Sequence, residues 1–249
     1  MSISEFDGKY VRIIDTDGEQ FSGRASYGNA DFLECEWGLD EDGIFIEDVL
    51  IGNSQIRSIE EIVPHGTAEL WTGNLLLRKY RPEDAEQLHQ YFGTDPEMYR
   101  YSGWNPYATP EMARETVQRF IASYHDEHSY SWVMDANGDD VVAGMIGAYD
   151  YDGSQIEVGF SVGRSWQGRG FATEALKAVL KYLTENEGIS RVTAWCAAEN
   201  AGSRRVLEKS GMRLVSAEKD GLSVDGRVYD KLVYEYWAPA GSDGQPPRS

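Results

Sequence analysis

The first 62 residues consist of short runs of apolar, β-branched and aromatic residues separated by turn residues, a pattern typical of strands. These runs are KYVRII, EQFSGRAS, DFLECEW, IFIEDVLI and SQIRSIEEIV. The pairs Asp17-Gly18 and Asp42-Gly43 interrupt them, and glycine at such a place supplies the positive φ of a hairpin turn. The pattern predicts five strands. In the third, Leu33, Cys35 and Trp37 alternate and are expected on one face.

Gly23 lies inside the second run. A glycine within a strand is typical of a sharp bend, and about five short strands with such a bend fit a small closed sheet. We therefore expect an all-β barrel over residues 1–64, followed by a linker over residues 65–68.

From residue 69 to residue 237 the pattern changes to a mixture of helices and strands. Helix starts are indicated by proline at an early position: Pro82, followed by the acidic residue Glu83, and Pro110, preceded by Thr109 as N-cap. Strand patterns alternating with these helical patterns predict a mixed α+β domain.

Three strand patterns, YSWVMD, DVVAGMIGAYDY and SQIEVGFSV, are separated by the glycine-containing turns ANGD and YDGS, which predicts an antiparallel meander. A helix opened by Gly170 and ended by Gly188 follows, then a strand, a helix opened by Asn200 and a closing hairpin. Residues 238–249 are rich in Pro, Gly and Ser and are expected to be disordered.

Composition and cysteine content indicate the cellular compartment of the protein. The chain has 249 residues, of which 41% are hydrophobic, and a mean hydropathy of −0.50. No apolar run approaches the ~20 residues of a membrane helix, and the first residues lack the apolar core of a signal peptide. Cys35 and Cys196 fit free thiols better than a disulfide or a metal site. We expect a cytoplasmic protein that contacts no membrane and holds no metal.

Charge argues against a nucleic-acid partner. The net charge is −19, and residues 1–64 carry 15 acidic and four basic side chains, a net charge of −11. A phosphate backbone is bound by clustered Lys and Arg. The predicted barrel is therefore expected to pack, to bind a protein or to self-associate.

The stretch SWQGRGFATEAL places a glycine turn directly before a helical pattern. A Walker loop would need Lys and then Ser or Thr where Arg169-Gly170 follow, and a dinucleotide fingerprint would need glycine at Thr173. The motif that fits is Q/R-x-x-G-x-G/A, from Gln167 to Ala172. Its small residues let backbone N–H groups converge at a helix N-terminus, which suits a pyrophosphate without a metal. A plain glycine turn before a core helix is the alternative.

Several segments together resemble the GNAT superfamily of acyl-CoA-dependent N-acetyltransferases, and within it the branch of ribosomal-protein N-terminal acetyltransferases. In the family's order, over residues 69–237, they are LLLRKYRPEDAEQL, IEVGFSVGRSWQGRGFATEAL, NAGSRRVLEKSGM and DGRVYDKLVYEYW. The resemblance implies the GNAT mixed sheet with flanking helices. It also implies direct transfer of an acetyl group from acetyl-CoA to a primary amine, on a protein N-terminus or a small molecule. Residues 1–64 resemble, more loosely, an Sm-like or SH3-like barrel.

The resemblance also implies where acetyl-CoA binds. In the family, the strand before the glycine turn splays from its neighbour, and backbone groups of Phe160, Ser161 and Val162 would hold the pantetheine arm. One N–H group there would polarise the thioester carbonyl. Asn200, whose alternative and compatible role is an N-cap, and Ser203 would add contacts. The implied pyrophosphate residues are Gln167, Gly168, Arg169, Gly170, Phe171 and Ala172.

Transfer to an amine needs a group that takes its proton, because an amine with a pKa near ~10 is protonated at neutral pH. Glu157, three residues before the expected carbonyl site, is the candidate base, acting through water. A solvated strand carboxylate is the alternative. Many family members carry a tyrosine as general acid where this chain has Leu207. Ser203 is the nearest hydroxyl and the candidate acid.

The acceptor pocket is expected between the first two helices of this domain, in PEMYRYSGWNPYATPE. Tyr101 and Trp104 are the candidate walls, with packing aromatics as the alternative. Because Leu207 replaces the usual acid, a module that binds acyl-CoA without turnover, as a sensor or scaffold, is the alternative function. A nucleic-acid-associated protein led by the barrel is the third, and the negative charge argues against it.

Overall fold

The computed structural model describes residues 2–46, 49–62, 65–126 and 128–238. The chain divides into two compact units, residues 1–64 and 65–249. The predicted disordered tail lies, beyond residue 238, outside the described residues. In the segment expected to be a linker, Thr67 and Ala68 are buried. Ser131 N donates to Thr67 Oγ1, and Trp132 Nε1 donates to the carbonyl of Ala68.

The N-terminal unit contains a five-stranded antiparallel sheet in the order β4-β3-β2-β1-β5. Within residues 2–46 and 49–62, β4 pairs with β3 and β5 pairs with β1, and no pairing joins β4 to β5. The sheet is therefore open, and the predicted closed Sm-like or SH3-like barrel is wrong. The strands are β1 (Tyr10–Asp15), β2 (Gln20–Gly28), β3 (Gly43–Ile46), β4 (Val49–Gly52) and β5 (Ile56–Glu61).

The run predicted as the third strand is the helix α1 (Ala30–Trp37). Asn29 caps it by accepting from Phe32 N at 2.9 Å, and Gly38 ends it with φ +68°. These two caps outweigh the alternating pattern, because they satisfy the terminal peptide groups of a helix. Of the three residues expected on one buried strand face, Leu33 alone is buried, whereas Cys35 and Trp37 are exposed.

The C-terminal unit is built on an eight-stranded sheet in the order β12-β13-β11-β10-β9-β8-β7-β6. Its pairings are antiparallel except between β10 and β11, which are parallel. The predicted meander is confirmed as β8-β9-β10. The strands are β6 (Leu70–Trp71), β7 (Leu75–Arg78), β8 (Tyr130–Ala136), β9 (Val142–Tyr149), β10 (Gln155–Val162), β11 (Arg191–Ala197), β12 (Arg213–Val224) and β13 (Arg227–Trp237).

Helices cover both faces of this sheet. The aromatic ring of Trp132 contacts Tyr182 of α4, whereas Val133, which points to the other face of β8, joins the core formed with α2 and α3. A π-helical turn, His89–Gly93, continues α2. The predicted α+β class with flanking helices is confirmed. The helices are α2 (Asp84–Leu88), α3 (Pro110–Ser123), α4 (Phe171–Glu185) and α5 (Ala201–Lys209).

A buried ion network fastens α2 to the sheet. The Arg78 guanidinium, 2% exposed, donates to both carboxylate oxygens of Asp84 and from Nε to Asp135. Asp84 also accepts from Arg81 N at 2.7 Å. Asp84 therefore anchors the start of α2 to the sheet.

Candidate functional site

The sheet opens between β10 and β11. Their parallel pairing covers three residues and ends at Glu157, opposite Thr193. On its other side, β10 stays paired with β9 as far as Val162. The second half of β10 therefore has one free edge, as the family resemblance implies.

Alternation along β10 decides which peptide groups face this gap. Gly163 N, directly after β10, donates to the carbonyl of Ala143 in β9. Peptide groups of alternate residues in a strand point to the same neighbour, so those of Ser161 face β9. The peptide groups of Phe160 and Val162 consequently face the gap. Both groups of Phe160 and the N–H of Val162 are available to a ligand, whereas the carbonyl of Val162 accepts from Gln167.

The glycine turn lies at the far end of β10 and opens α4. Gly168 has φ +77° and Gly170 has φ +89°, a backbone region that side chains rarely adopt. A Cβ on either glycine would meet no atom within 4 Å, so the space in front of the turn is empty of protein. Gly170 is the N-cap and offers no side-chain acceptor. The first N–H groups of α4 are therefore left for an anion.

Side chains hold the turn against its surroundings. Gln167 Nε2 donates to the carbonyl of Val162 at 3.0 Å. Arg164, just before the turn, forms a two-point contact with Asp95 at 2.7 and 3.0 Å, which keeps the pKa of Asp95 below its usual range. Arg169 forms no ion pair with any described residue, so its charge is free for a ligand.

The one acidic residue in the first turn of α4 is turned away from the glycine loop. The Glu174 carboxylate accepts from Thr72 Oγ1 at 2.6 Å and from both nitrogens of Asn74. Burial alone would raise the pKa of Glu174, but these hydrogen bonds outweigh it and hold the pKa below its ordinary value. The carboxylate is thus anchored on the loop between β6 and β7.

Two lysines border a surface pocket of about 350 Å³ beside the glycine turn. Lys177 comes from the second turn of α4, and Lys209 comes from the last turn of α5. In the described part of the chain neither lysine has an ion-pair partner, whereas Lys181 on the same helix pairs with Glu185. The pocket therefore combines helix N–H groups with two free cations. It is also bordered by Glu174, whose carboxylate is bound to Thr72 and Asn74.

Asn200 is the N-cap of α5 and accepts from Ser203 N at 3.1 Å. Its side-chain nitrogen has no partner among the described residues, so the cap and a ligand contact are compatible. Ser203 is partly buried. Leu207 is 1% exposed and packed in the core, so the position of the usual acid holds hydrocarbon.

Glu157 lies where the pairing of β10 and β11 ends, and it is not simply solvated. Its Oε1 accepts from the indole Nε1 of Trp195 at 2.8 Å. On the opposite side of β10, Tyr149 is its direct partner in register. Burial, followed by the charge of Glu157 and a hydrogen bond to it, raises the pKa of Tyr149, so this hydroxyl stays protonated at neutral pH.

The segment proposed as the acceptor wall packs on the closing hairpin. Tyr101 contacts Tyr229 edge-to-face at 5.4 Å and joins a small cluster with Ala197 and Val224. Ala197, a member of this cluster, ends β11 two residues beyond Trp195, so the cluster lies at the end of the strand that borders the gap. Trp104 is 60% exposed and packs little.

Sequence reasoning missed Trp195, Tyr149, Lys177 and Lys209. The first two reach Glu157 from neighbouring strands, and the lysines meet across two helices. None of these relationships has a local motif. The alternation of β11, with Thr193 and Trp195 facing away from the buried residues, is the one signal that could have suggested Trp195.

The buried thiol of Cys196 belongs to the core of the domain. Burial raises the pKa of the Cys196 thiol to about 11, so it is a poor nucleophile at neutral pH. Across the described ranges, no three His, Cys, Asp or Glu side chains are grouped so as to hold a metal ion. None of the helices described is long and apolar enough to cross a bilayer.

Comparison with known proteins agrees with this geometry. The family model of the acetyltransferase (GNAT) domain matches residues 74–213, over half of the chain. "Uncharacterized N-acetyltransferase p20" of Bacillus licheniformis is 28% identical, with 66% of this chain and 93% of that protein covered. The "[Ribosomal protein uS5]-alanine N-acetyltransferase" of Escherichia coli (strain K12) is 27% identical, with 71% and 94% covered.

Among solved structures, RimL, a "Ribosomal L7/L12 alpha-N-protein acetyltransferase in complex with Coenzyme A", superposes with a TM-score of 0.62. It is 20% identical and covers 73% of this chain and 100% of its own, which shows a shared fold. These likenesses favour an enzyme over a module that binds acyl-CoA without turnover. The chain belongs to the GNAT acetyltransferase family and is an N-acetyltransferase that uses acetyl-CoA.

Proposed function

We propose that this enzyme acetylates the α-amino group of a protein N-terminus, with Glu157 as the base that takes the amine proton through water. The observation that carries the proposal is the free edge of β10, with Glu157 at its closed end and the glycine turn at its open end. The named activity of the Escherichia coli relative, on an alanine of a ribosomal protein, supports a protein acceptor. It also favours the cytoplasm as the place of the reaction.

The cofactor would lie along the gap. Peptide groups of Phe160 and Val162 would pair with the pantetheine arm, while Ser161 would support it from the β9 side. The pyrophosphate would contact the turn from Gln167 to Ala172, which includes Gly168, Arg169, Gly170 and Phe171. Lys177 and Lys209 would meet the phosphate at the nucleotide end, and Asn200 and Ser203 would border the arm from α5.

In the reaction, the ammonium group of the acceptor first releases one proton to solvent. The neutral nitrogen then attacks the thioester carbonyl carbon while Glu157 takes the second proton through water. The N–C bond forms, the C–S bond breaks and CoA leaves as a thiolate. The N–H of Phe160 would stabilise the negative oxygen that develops. An α-amino group has a pKa of about 8, so its deprotonation is easier than that of a lysine. Because Leu207 supplies no proton, the thiolate leaves with Ser203 as the nearest hydrogen-bond donor.

Two measurements test this proposal. Calorimetric titration with acetyl-CoA, CoA and ATP is expected to show binding of the first two only. Acetyl transfer, followed by thiol release and peptide mass, is expected for peptides with a free N-terminus and to disappear when the same N-terminus is formylated. Transfer to small amines alone would overturn the acceptor class. Absence of acetyl-CoA binding would overturn the cofactor site.

We also infer that the N-terminal unit contacts a protein, through self-association or a separate partner. Its helix α1 exposes Phe32 by 53% and Trp37 by 63%, and large exposed aromatics favour protein contact. The net charge of −11 disfavours a phosphate backbone. Light scattering of the full chain separates the two cases, since self-association raises the measured mass with concentration.

A further inference from the structure

The hydrogen bond between Trp195 and Glu157 is the first side-chain link across the gap after strand pairing ends. Backbone pairing stops at Glu157 and Thr193, and Trp195 lies two residues further along β11. Its indole N–H then reaches back to Glu157 Oε1 at 2.8 Å. The contact therefore joins the two strands at the apex of the opening.

The indole ring is itself held in place. The ammonium group of Lys231, on the neighbouring strand β13, lies 5.6 Å from its ring centre. Such a contact fixes the ring plane by cation–π attraction. The N–H donor is thus presented to Glu157 in a defined direction.

A second donor approaches the same carboxylate from the other strand. Tyr149 is paired with Glu157 in register, and Gly159 makes room for it, because a Cβ on Gly159 would come within 2.9 Å of the Tyr149 hydroxyl oxygen. The groups around Glu157 are therefore the indole donor of Trp195, the Tyr149 side chain in register with it and the Lys231 cation behind the indole. A carboxylate held by donors keeps one orientation and retains lone pairs on its free oxygen.

We propose that Trp195 is a positioning residue for the acetyl transfer. It holds Oε1 of Glu157, so that Oε2 is left to accept the proton of the amine through water. The inference rests on the proposed function, because it assumes that Glu157 is the base. Trp195 itself touches neither the amine nor the thioester.

The test is Trp195→Phe, which keeps an aromatic ring but removes the donor. We expect kcat to fall between about 10-fold and 100-fold, the range for a misplaced catalytic group, with KM for acetyl-CoA unchanged. The matched control is Trp237→Phe, whose indole N–H also donates to a carboxylate, Glu235 at 3.1 Å, but outside the gap. It should leave kcat unchanged.

A double-mutant cycle with Glu157→Gln decides between positioning and general stability. If Trp195 acts through Glu157, adding Trp195→Phe to Glu157→Gln should lower kcat little further. Additive losses, or a Trp195→Phe variant with the parent's kcat, overturn the inference. Trp195→Tyr, which restores a donor on a smaller ring, should recover part of the lost rate, and recovery of none contradicts the proposal. An inactive parent chain would instead be a failure of the proposed function.

Discussion

Asn74 and Glu174 are 100 residues apart in the sequence, yet the backbone N–H and the side-chain amide of Asn74 both donate to the Glu174 carboxylate, at 2.7 and 2.9 Å. Acidic residues in the first turn of a helix normally interact with its positive end. Here the acid is bound to the loop that precedes β7. The positive end of α4 is consequently left open at Gly170, where the proposed pyrophosphate site lies.

This contact predicts a pH-dependent stability. Because the folded-state pKa of Glu174 is lowered, its contribution is present above the unfolded-state pKa of about 4.3 and is lost as pH falls through the folded value. Glu174→Gln should lower the free energy of unfolding by about 1 kcal/mol at pH 7. The difference from the parent, measured by urea titration, should shrink as the pH falls below about 4.3. Glu185 is an exposed acid on the same helix, and Glu185→Gln should show no such difference in stability at pH 7. Equal losses in the two variants would contradict the conclusion that Glu174 anchors α4 to Asn74.

Gly170→Glu should abolish acetyl-CoA binding, since a side chain there would enter the empty space with a negative charge. Gly188 offers a matched control, because it also has a positive φ and a Cβ there would meet no atom within 4 Å, but it lies after the end of α4. Gly188→Glu should strain the backbone by a similar amount, about 1 kcal/mol, and keep binding. Calorimetric titration with acetyl-CoA compares the two variants. If both bind acetyl-CoA with the same affinity, the assignment of the glycine turn as the pyrophosphate site is wrong.

Replacing Lys177 and Lys209 together by methionine should reduce the preference for CoA over dephospho-CoA by about 10-fold, equal to about 1.4 kcal/mol. Lys181→Met, which removes a paired lysine from the same helix, should change neither affinity. Titrations at two salt concentrations measure the effect. CoA and dephospho-CoA differ by the 3′-phosphate of CoA. If the double variant prefers CoA as strongly as the parent does, the two lysines do not bind that phosphate.

Trp104→Ala should raise KM for a peptide acceptor by roughly 5-fold to 30-fold, the loss of about 1–2 kcal/mol expected for a contact aromatic, and leave KM for acetyl-CoA unchanged. Trp71 on β6 is similarly exposed, 57% against 60%, and Trp71→Ala should alter neither value. Steady-state kinetics with both substrates distinguishes them. If Trp104→Ala changes only KM for acetyl-CoA, Trp104 is not part of the acceptor site.

Asp135→Ala should lower the free energy of unfolding by about 3–5 kcal/mol, because it leaves the buried Arg78 charge without one of its partners. Asp140→Ala removes an exposed partner of Arg81 and should cost less than about 1 kcal/mol. Urea unfolding followed by circular dichroism measures both. Similar losses in the free energy of unfolding for the two variants would show that burial does not increase the contribution of the Arg78 network to stability.

Local signals allowed much of the catalytic domain to be predicted. Thr109 caps α3 with Pro110 at its first position, and Asn200 caps α5, as their residue types indicated. Gly170 opens α4 with a positive φ. Each of these features depends on a few neighbouring residues, and for that reason a sequence is sufficient to predict them.

Features that depend on distant partners could not be predicted. The strand predicted from the alternation of Leu33, Cys35 and Trp37 is a different case, because the caps Asn29 and Gly38 that produce the helix are local to it. Barrel closure was expected from the number of short strands and the bend at Gly23, whereas closure depends on whether the edge strands, here β4 and β5, pair with each other. The links of Glu157 to Trp195 and of Glu174 to Asn74 join strands and loops that only the fold brings together.

Among the described residues, no strand pairing joins one compact unit to the other. Strands β1–β5 pair among themselves, and β6–β13 pair among themselves. The family match begins at residue 74, after the first unit ends. An ancestor could therefore have gained the first 64 residues by a single gene fusion without displacing any strand of the catalytic sheet, and could lose them as simply.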